Sequence, residues 1–328
     1  MRVCLFAFSA ALLVSVSSAR AGDIDWFTGV WHNDLFAGSD GGGYTNGLYL
    51  SWFDLSDTHP DHYGTPWLTR PFESWLMPEA EGNLEVSAYT LGQAMMTPKD
   101  IEKVVPDEDD APYAGLLQLR SAYTVVGKDV ADTLSVTVGI VGPSSGAEEV
   151  QRAVHRMVGA TEPRGWDYQI KDEPVGQIER IRVWRFGPAP TEEPHLDLLL
   201  IGSGSLGNLE SSAGSAMLVR FGTRLDRSFG TASQLVGRVS NPMAIDGGWN
   251  VYLGASATYV YNQIFISGGG LRSGQSADLR HDQYATYAGF SYSWSRLSVS
   301  FSFVANTNLD KNASARQKFG TLQLGWKF

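Results

Sequence analysis

Thr321-Leu322-Gln323-Leu324-Gly325-Trp326-Lys327-Phe328 is the last stretch of the chain, and its alternation decides the fold. Leu322, Leu324, Trp326 and Phe328 occupy every second position, with Thr321, Gln323, Gly325 and Lys327 between them. A period of two places the two sets on opposite faces of a β-strand, one apolar and aromatic, the other small or polar. The pattern repeats upstream. Leu297, Val299, Phe301 and Phe303 alternate with Ser298, Ser300 and Ser302, and Phe290, Tyr292 and Trp294 alternate with Ser291, Ser293 and Ser295. In a soluble sandwich the serine face would meet water and the apolar face a core. In a transmembrane barrel the serine face lines the lumen and the apolar face meets lipid.

Composition favours the barrel. Hydrophobic residues make up 43% of the 328 residues, yet no segment after the N-terminus has the roughly 20 consecutive apolar residues of a spanning helix. Aromatics at 12% and 36 glycines, spread over many short alternating runs, fit a sheet that shows lipid only every second side chain. Such runs lie near 24–37, 44–56, 83–96, 113–126, 130–141, 174–187, 193–205, 208–225, 247–263, 280–295, 296–308 and 317–328. The expected fold is all-β, a transmembrane antiparallel up-and-down β-barrel of about twelve strands with a short helix in one connection. Residues 57–82, 97–112, 226–246 and 264–279 read as loops, the last two exposed at the surface.

At the N-terminus, Met1-Arg2 precedes an apolar run from Leu5 to Val16, then Ser17-Ser18-Ala19-Arg20-Ala21. That order is a signal peptide over 1–21 cut after Ala21, leaving a single barrel domain over 22–328. Cys4, the one cysteine, falls in the removed part, so disulfides are not expected. The net charge of −10 becomes −12 once Arg2 and Arg20 are lost, which speaks against nucleic-acid binding and suits divalent cations.

Three polar islands interrupt the pattern. Trp31-His32-Asn33-Asp34 ends the first strand, and Tyr44-Thr45-Asn46-Gly47 starts the second. Oxygen-bearing side chains there suit Ca²⁺, although Asn, Asp and Gly equally favour a plain hairpin turn. Next, Val150, Val154, Met157 and Val158 recur at helical spacing over Gly146–Gly159, with Ser145 as the expected N-cap. Gln151 and His155, four apart, share one face of that helix, inside or above the barrel. His155 is then either a general base or merely a polar surface group. The third island, Thr97–Lys103 with Asp109–Gly115, offers lysines for a lipid phosphate or else is a solvated loop.

Taken together, these residues resemble the LpxR lipid A 3′-O-deacylase family of outer-membrane enzymes. The resemblance rests on Asn33-Asp34 with Tyr44-Thr45-Asn46-Gly47, on Gly139-Ile140-Val141-Gly142-Pro143, and on Gly146-x-Glu148-x-Val150-Gln151-x-x-x-His155-x-x-x-Gly159. Gly165-Trp166-Asp167-x-Gln169 also matches, and the terminal aromatic strand resembles the recognition signal of bacterial outer-membrane proteins. The resemblance implies a Gram-negative outer-membrane location, a twelve-stranded barrel, and a site between barrel wall and bilayer near the outer surface. It implies Asn33, Asp34, Thr45, Gln151 and His155 as site residues, with Asp34 on Ca²⁺ and Lys103 on a substrate phosphate, Lys99 being the rival lysine. Lipid A, as lipopolysaccharide in a lipid environment, is the implied partner, and a monomer is expected. Direct attack by water is expected, with no serine in a Gly-x-Ser-x-Gly elbow. A phospholipase and a non-enzymatic pore or adhesin are the alternatives.

Overall fold

The computed structural model describes residues 25–37, 43–57, 66–77, 84–107, 110–233, 247–267, 278–312 and 316–328. The expected signal peptide lies outside them. Twelve strands form one closed antiparallel barrel in which every strand pairs with its sequence neighbours and the first pairs with the last. They are β1 (Trp26–Asn33), β2 (Gly43–Asp57), β3 (Leu84–Thr97), β4 (Ala114–Val126), β5 (Val130–Val141), β6 (Glu173–Phe186), β7 (His195–Gly207), β8 (Glu210–Gly222), β9 (Gly248–Gln263), β10 (Asp282–Ser293), β11 (Leu297–Asn306) and β12 (Gln317–Lys327). Closure leaves no strand edge with unpaired backbone groups, which is what lets a sheet sit in hydrocarbon.

The alternation reads as expected. Ser298, Ser300 and Ser302 face inward and are buried, while Phe290, Phe303, Leu324 and Trp326 face outward and are exposed. Outward aromatics gather in two belts. At the end carrying both termini lie Phe27 against Trp52 and Phe221 against Trp249; at the other lie Trp31 against Phe36 and Tyr259 against Tyr261. From Trp249 to Tyr259 along β9 is ten residues, about 25 Å of height at ~3.4 Å per residue and a tilt of ~40°, the thickness of an apolar band.

Described residues cap the lumen near both ends. Toward the termini, Leu199, Ile201 and Leu218 pack on Phe229 and Ala232. This corrects the expectation that the loop after β8 is all exposed: its first turn, Leu225–Arg227, folds inward and is held by Arg220, which donates to Ser228 Oγ and the Leu225 carbonyl. At the opposite end the start of the loop after β9 is likewise buried, because α3 (Ile264–Ser267) packs with Met96, Leu116 and Val175. At the terminal rim, Asp197 bridges Arg220 and Arg185 at 2.5 and 2.9 Å, and farther into the barrel Arg120 meets Glu179 at 2.8 Å.

Two helices lie on the outside of the wall. One is α2 (Ala147–Val158), in the connection from β5 to β6. The other, α1 (Arg70–Leu76), sits in a stretch read as plain loop, where seven residues hold too few apolar repeats to register.

Candidate active site

Parity decides which face of the wall carries the site. In β1, Trp26, Thr28, Val30 and His32 are buried inside, whereas Trp31 is 42% exposed and points outward. Asn33 follows Trp31 by two and takes the same outward face, at the rim away from the termini. It pairs across the strands with Asn46, whose side chain accepts a hydrogen bond from Trp31 Nε1 at 3.1 Å. Asp34 is half-buried and opens a single turn, Asp34–Ala37, immediately above.

Thr45 is an extra residue in its strand. Register passes from Tyr44↔Met96 directly to Asn46↔Met95, so Thr45 is bulged out of the ladder. Its Oγ1 lies 2.8 Å from Thr97 Oγ1 at the end of β3. From the lumen side the bulge is braced by the Tyr44 hydroxyl, 3.1 Å from His32 Nδ1 and 3.2 Å from the Tyr49 hydroxyl.

The row Asn33, Asn46, Met95, Gly115 runs across β1 to β4 on this outward face. At its far end α2 rests on the wall, which corrects its expected place inside or above the barrel. Gly115 makes that possible: a Cβ there would stand 2.1 Å from Ser145 Oγ and 2.4 Å from Ala147 Cβ. Gln93 ties the helix start down by donating to the Ser145 carbonyl at 2.8 Å. The N-cap is Gly146, in the left-handed region at φ 69°, and not Ser145, which belongs to the preceding turn Pro143–Ser145. Glycine is needed there because the chain reverses sharply between two helical segments.

Gln151 is buried on the wall-facing side of α2, and Trp166 Nε1 donates to its Oε1 at 2.8 Å. An indole N–H can only donate, so the amide oxygen is engaged and the amide N–H₂ is the group left to donate elsewhere. One turn on, half-buried His155 places Nδ1 against the Thr161 carbonyl oxygen. A carbonyl only accepts, so the neutral ring carries its proton on Nδ1 and its lone pair on Nε2. Gly159, at φ 70°, ends the helix and turns the chain back to make this contact.

Trp166 is the residue that sequence reasoning left without a role. With Tyr113, Met95 and Ala147 it forms a buried cluster joining α2 to the β3–β4 loop, its ring 4.9 Å from that of Tyr113. Ile101 of that loop accepts from Arg164 N at 2.9 Å, which lays the Lys103 backbone against Gly165 in the segment after α2. The Lys103 ammonium is ion-paired with Asp107 at 2.6 Å, a hydrogen bond that raises its pKa and keeps it charged. Lys99, on the same loop, is exposed two residues beyond Thr97.

Strand register thus brings Asn33, Asp34 and Thr45 to one side of a short stretch of wall. Gln151 and His155 stand on the other, on α2, and the β3–β4 loop that carries Lys103 packs against Gly165 beyond the helix. The spacing Gly-x-Ser-x-Gly does occur at Gly142-Pro143-Ser144-Ser145-Gly146, contrary to expectation. Ser144 Oγ, however, donates to the Asp172 carboxylate at 2.7 Å and its backbone N–H binds the same group, so this is a capped turn without an imidazole partner.

The fold is a closed twelve-stranded barrel of the outer-membrane type, with a helix laid against the outside of its wall beside the polar row. The chain belongs to the LpxR family: the model for outer membrane protein LpxR matches residues 5–328. Among solved structures, LpxR from Salmonella typhimurium superposes with a TM-score of 0.75 at 17% identity, over 92% of this chain and 100% of that one. The β domain of the Bordetella autotransporter BrkA gives 0.40 at 10% identity, over 93% and 98% of the two chains. No curated protein matches the sequence.

Proposed function

We propose that this protein is an outer-membrane lipid A 3′-O-deacylase that hydrolyses the 3′-linked acyl ester with the help of Ca²⁺. The observation that carries this reading is the contact of His155 Nδ1 with the Thr161 carbonyl, one turn from Gln151, on a helix laid along the lipid-facing wall. His155 Nε2 takes a proton from water, and the hydroxide attacks the ester carbonyl. The Gln151 amide N–H₂, held by Trp166, donates to the oxyanion that forms. Protonated His155 then returns its proton to the departing sugar oxygen. Asn33 and Thr45 position the acyl ester, and Lys103 exchanges its exposed partner Asp107 for a glucosamine phosphate.

The donor set is hard but sparse. Asp34 would give one carboxylate, with the amide oxygen of Asn33 and the hydroxyl of Thr45 at the same rim as neutral donors. Among the described residues no three His, Cys, Asp or Glu side chains gather as a metal cluster. One carboxylate with neutral oxygens fits a weakly held Ca²⁺ at an external surface, with water completing the shell. When bound there, Ca²⁺ supplies positive charge next to the ester carbonyl.

The test is mass spectrometry of lipid A from cells with and without the protein. Loss of one acyl unit from the 3′ position is expected. Unchanged lipid A with fatty acids released from phospholipids would replace this reading by a phospholipase.

A further inference from the structure

The outside of the wall carries a second built feature, at the opposite rim. The segment Pro66–Met77, which contains α1, is braced within its first turn and seated on the wall by its C-terminal end. Thr69, fully buried, donates through Oγ1 to the Pro66 carbonyl, and Met77 packs with Leu76 on Tyr123, Val125, Leu134 and Ile178. Parity places those four wall residues outward: Leu134 lies between Thr133 and Ser135, which bond to inward partners, and Ile178 precedes inward Glu179. Val125 is one residue from the end of β4, so the segment rests at the rim carrying the termini.

The face of the segment turned away from the wall is aromatic. Trp67 is 64% exposed and Trp75 75%, with Phe72 one helical turn before Trp75 on the same side. Water would oppose such a face, and it lies at the height of the aromatic belt formed by Phe27, Trp52 and Trp249. Two outward arginines mark the same level. Arg180 and Arg182 both bind Asp132, at 2.7 and 2.5 Å, just above outward Trp184; Glu85 lies across Val125 from them. Outward arginine is most costly at the bilayer centre and nearly neutral at its interface, where a stretched side chain reaches phosphates.

We infer that Trp67–Met77 is an interfacial anchor whose occupant is the phospholipid leaflet at the terminal rim. Trp67, Phe72 and Trp75 enter the headgroup–acyl boundary as tryptophans of an in-plane helix do, and Arg180 and Arg182, paired with Asp132, lie just inside that boundary with stems that extend toward it. The apolar face is thereby continuous with the lipid-facing belt of the barrel. This proposal concerns the rim opposite the proposed catalytic site and stands independently of its chemistry.

The experiment uses the full chain with Cys4→Ser, refolded into phosphatidylethanolamine–phosphatidylglycerol vesicles. A nitroxide is attached at Trp75→Cys and, separately, at Trp67→Cys; both positions are exposed, so neither change empties the core. Heat-modifiable mobility on gels reports folding. Collision with oxygen is expected to exceed collision with a water-soluble nickel complex at both sites, at a depth of about 5–10 Å below the phosphates. Should either labelled variant not fold, the Trp67→Ser, Trp75→Ser double variant is compared with wild type in bromolipid vesicles, and it should lose part of the tryptophan quenching. Labels reached mainly by the nickel complex, or quenching identical in the double variant, would overturn the anchor and leave a soluble partner protein as the occupant.

Discussion

At the scale of single residues, two hydrogen bonds separate a catalytic reading from a decorative one. His155 Nδ1 on the Thr161 carbonyl and Gln151 Oε1 under the Trp166 indole each leave one defined function pointing away: a basic nitrogen and a pair of amide donors. His155→Ala is therefore expected to lower turnover by about 10²–10⁴-fold, the usual yield of a general base, while the barrel remains heat-modifiable. Gln151→Ala should cost about 10²–10³-fold in kcat with KM little changed, since an oxyanion donor acts in the transition state. Near-normal deacylation by either folded variant would return α2 to a structural role. Asp34→Asn should raise the Ca²⁺ concentration needed for half-activity, and a chelator should silence the wild type; Ca²⁺-independent turnover would remove the metal from the mechanism.

At the scale of elements, the strands were legible and the positions of the helices were not. Period-two alternation reports a strand wherever one face meets lipid and the other meets polar lumen, and all twelve strands announced themselves in this way. The residues of α2 were equally plain from Val150, Val154 and Met157, but a helix pattern says nothing about which wall it rests on. That information sits in Gly115 of β4, whose missing Cβ is the docking surface, and nothing local to α2 encodes it. Likewise Gln151 and His155 could be paired by their spacing, whereas Trp166, fifteen residues beyond Gln151, gained a role only through tertiary contact. Gly115→Val tests the docking directly. The added side chain would collide with Ser145 and Ala147 at 2.1 and 2.4 Å, measured to the Cβ alone. Residual deacylation at 1% of wild type or less is expected, with an unchanged β-rich spectrum and faster proteolysis within 142–172. Full activity would mean that the helix works without its seat.

At the scale of the molecule, packed clusters among the described residues cap the lumen near both ends, and interior charges brace the cap at the terminal rim. Asp197 lies fully buried between Arg220 and Arg185, and Arg220 in turn grips the inward turn after β8 through Ser228 and the Leu225 carbonyl. Removing one partner of a buried ion pair typically costs about 3–5 kcal/mol, because the remaining charge is stranded. Asp197→Ala strands the Arg220 guanidinium and leaves Arg185 only Asp129, at 3.5 Å, so the loss acts directly on the residue that holds the plug. The wild type should give no stable conductance in a planar bilayer, as expected of a lumen capped by Phe229 at one end and Phe265 at the other. The variant should lose its folded gel band at a clearly lower temperature and show intermittent channel openings as the turn detaches. Its deacylation at moderate temperature should persist, since the proposed site lies outside the wall at the opposite rim. A conducting wild type would instead make the lumen a pathway and revive the pore reading, and an unchanged melting temperature in Asp197→Ala would show that the plug is held by its apolar contacts alone.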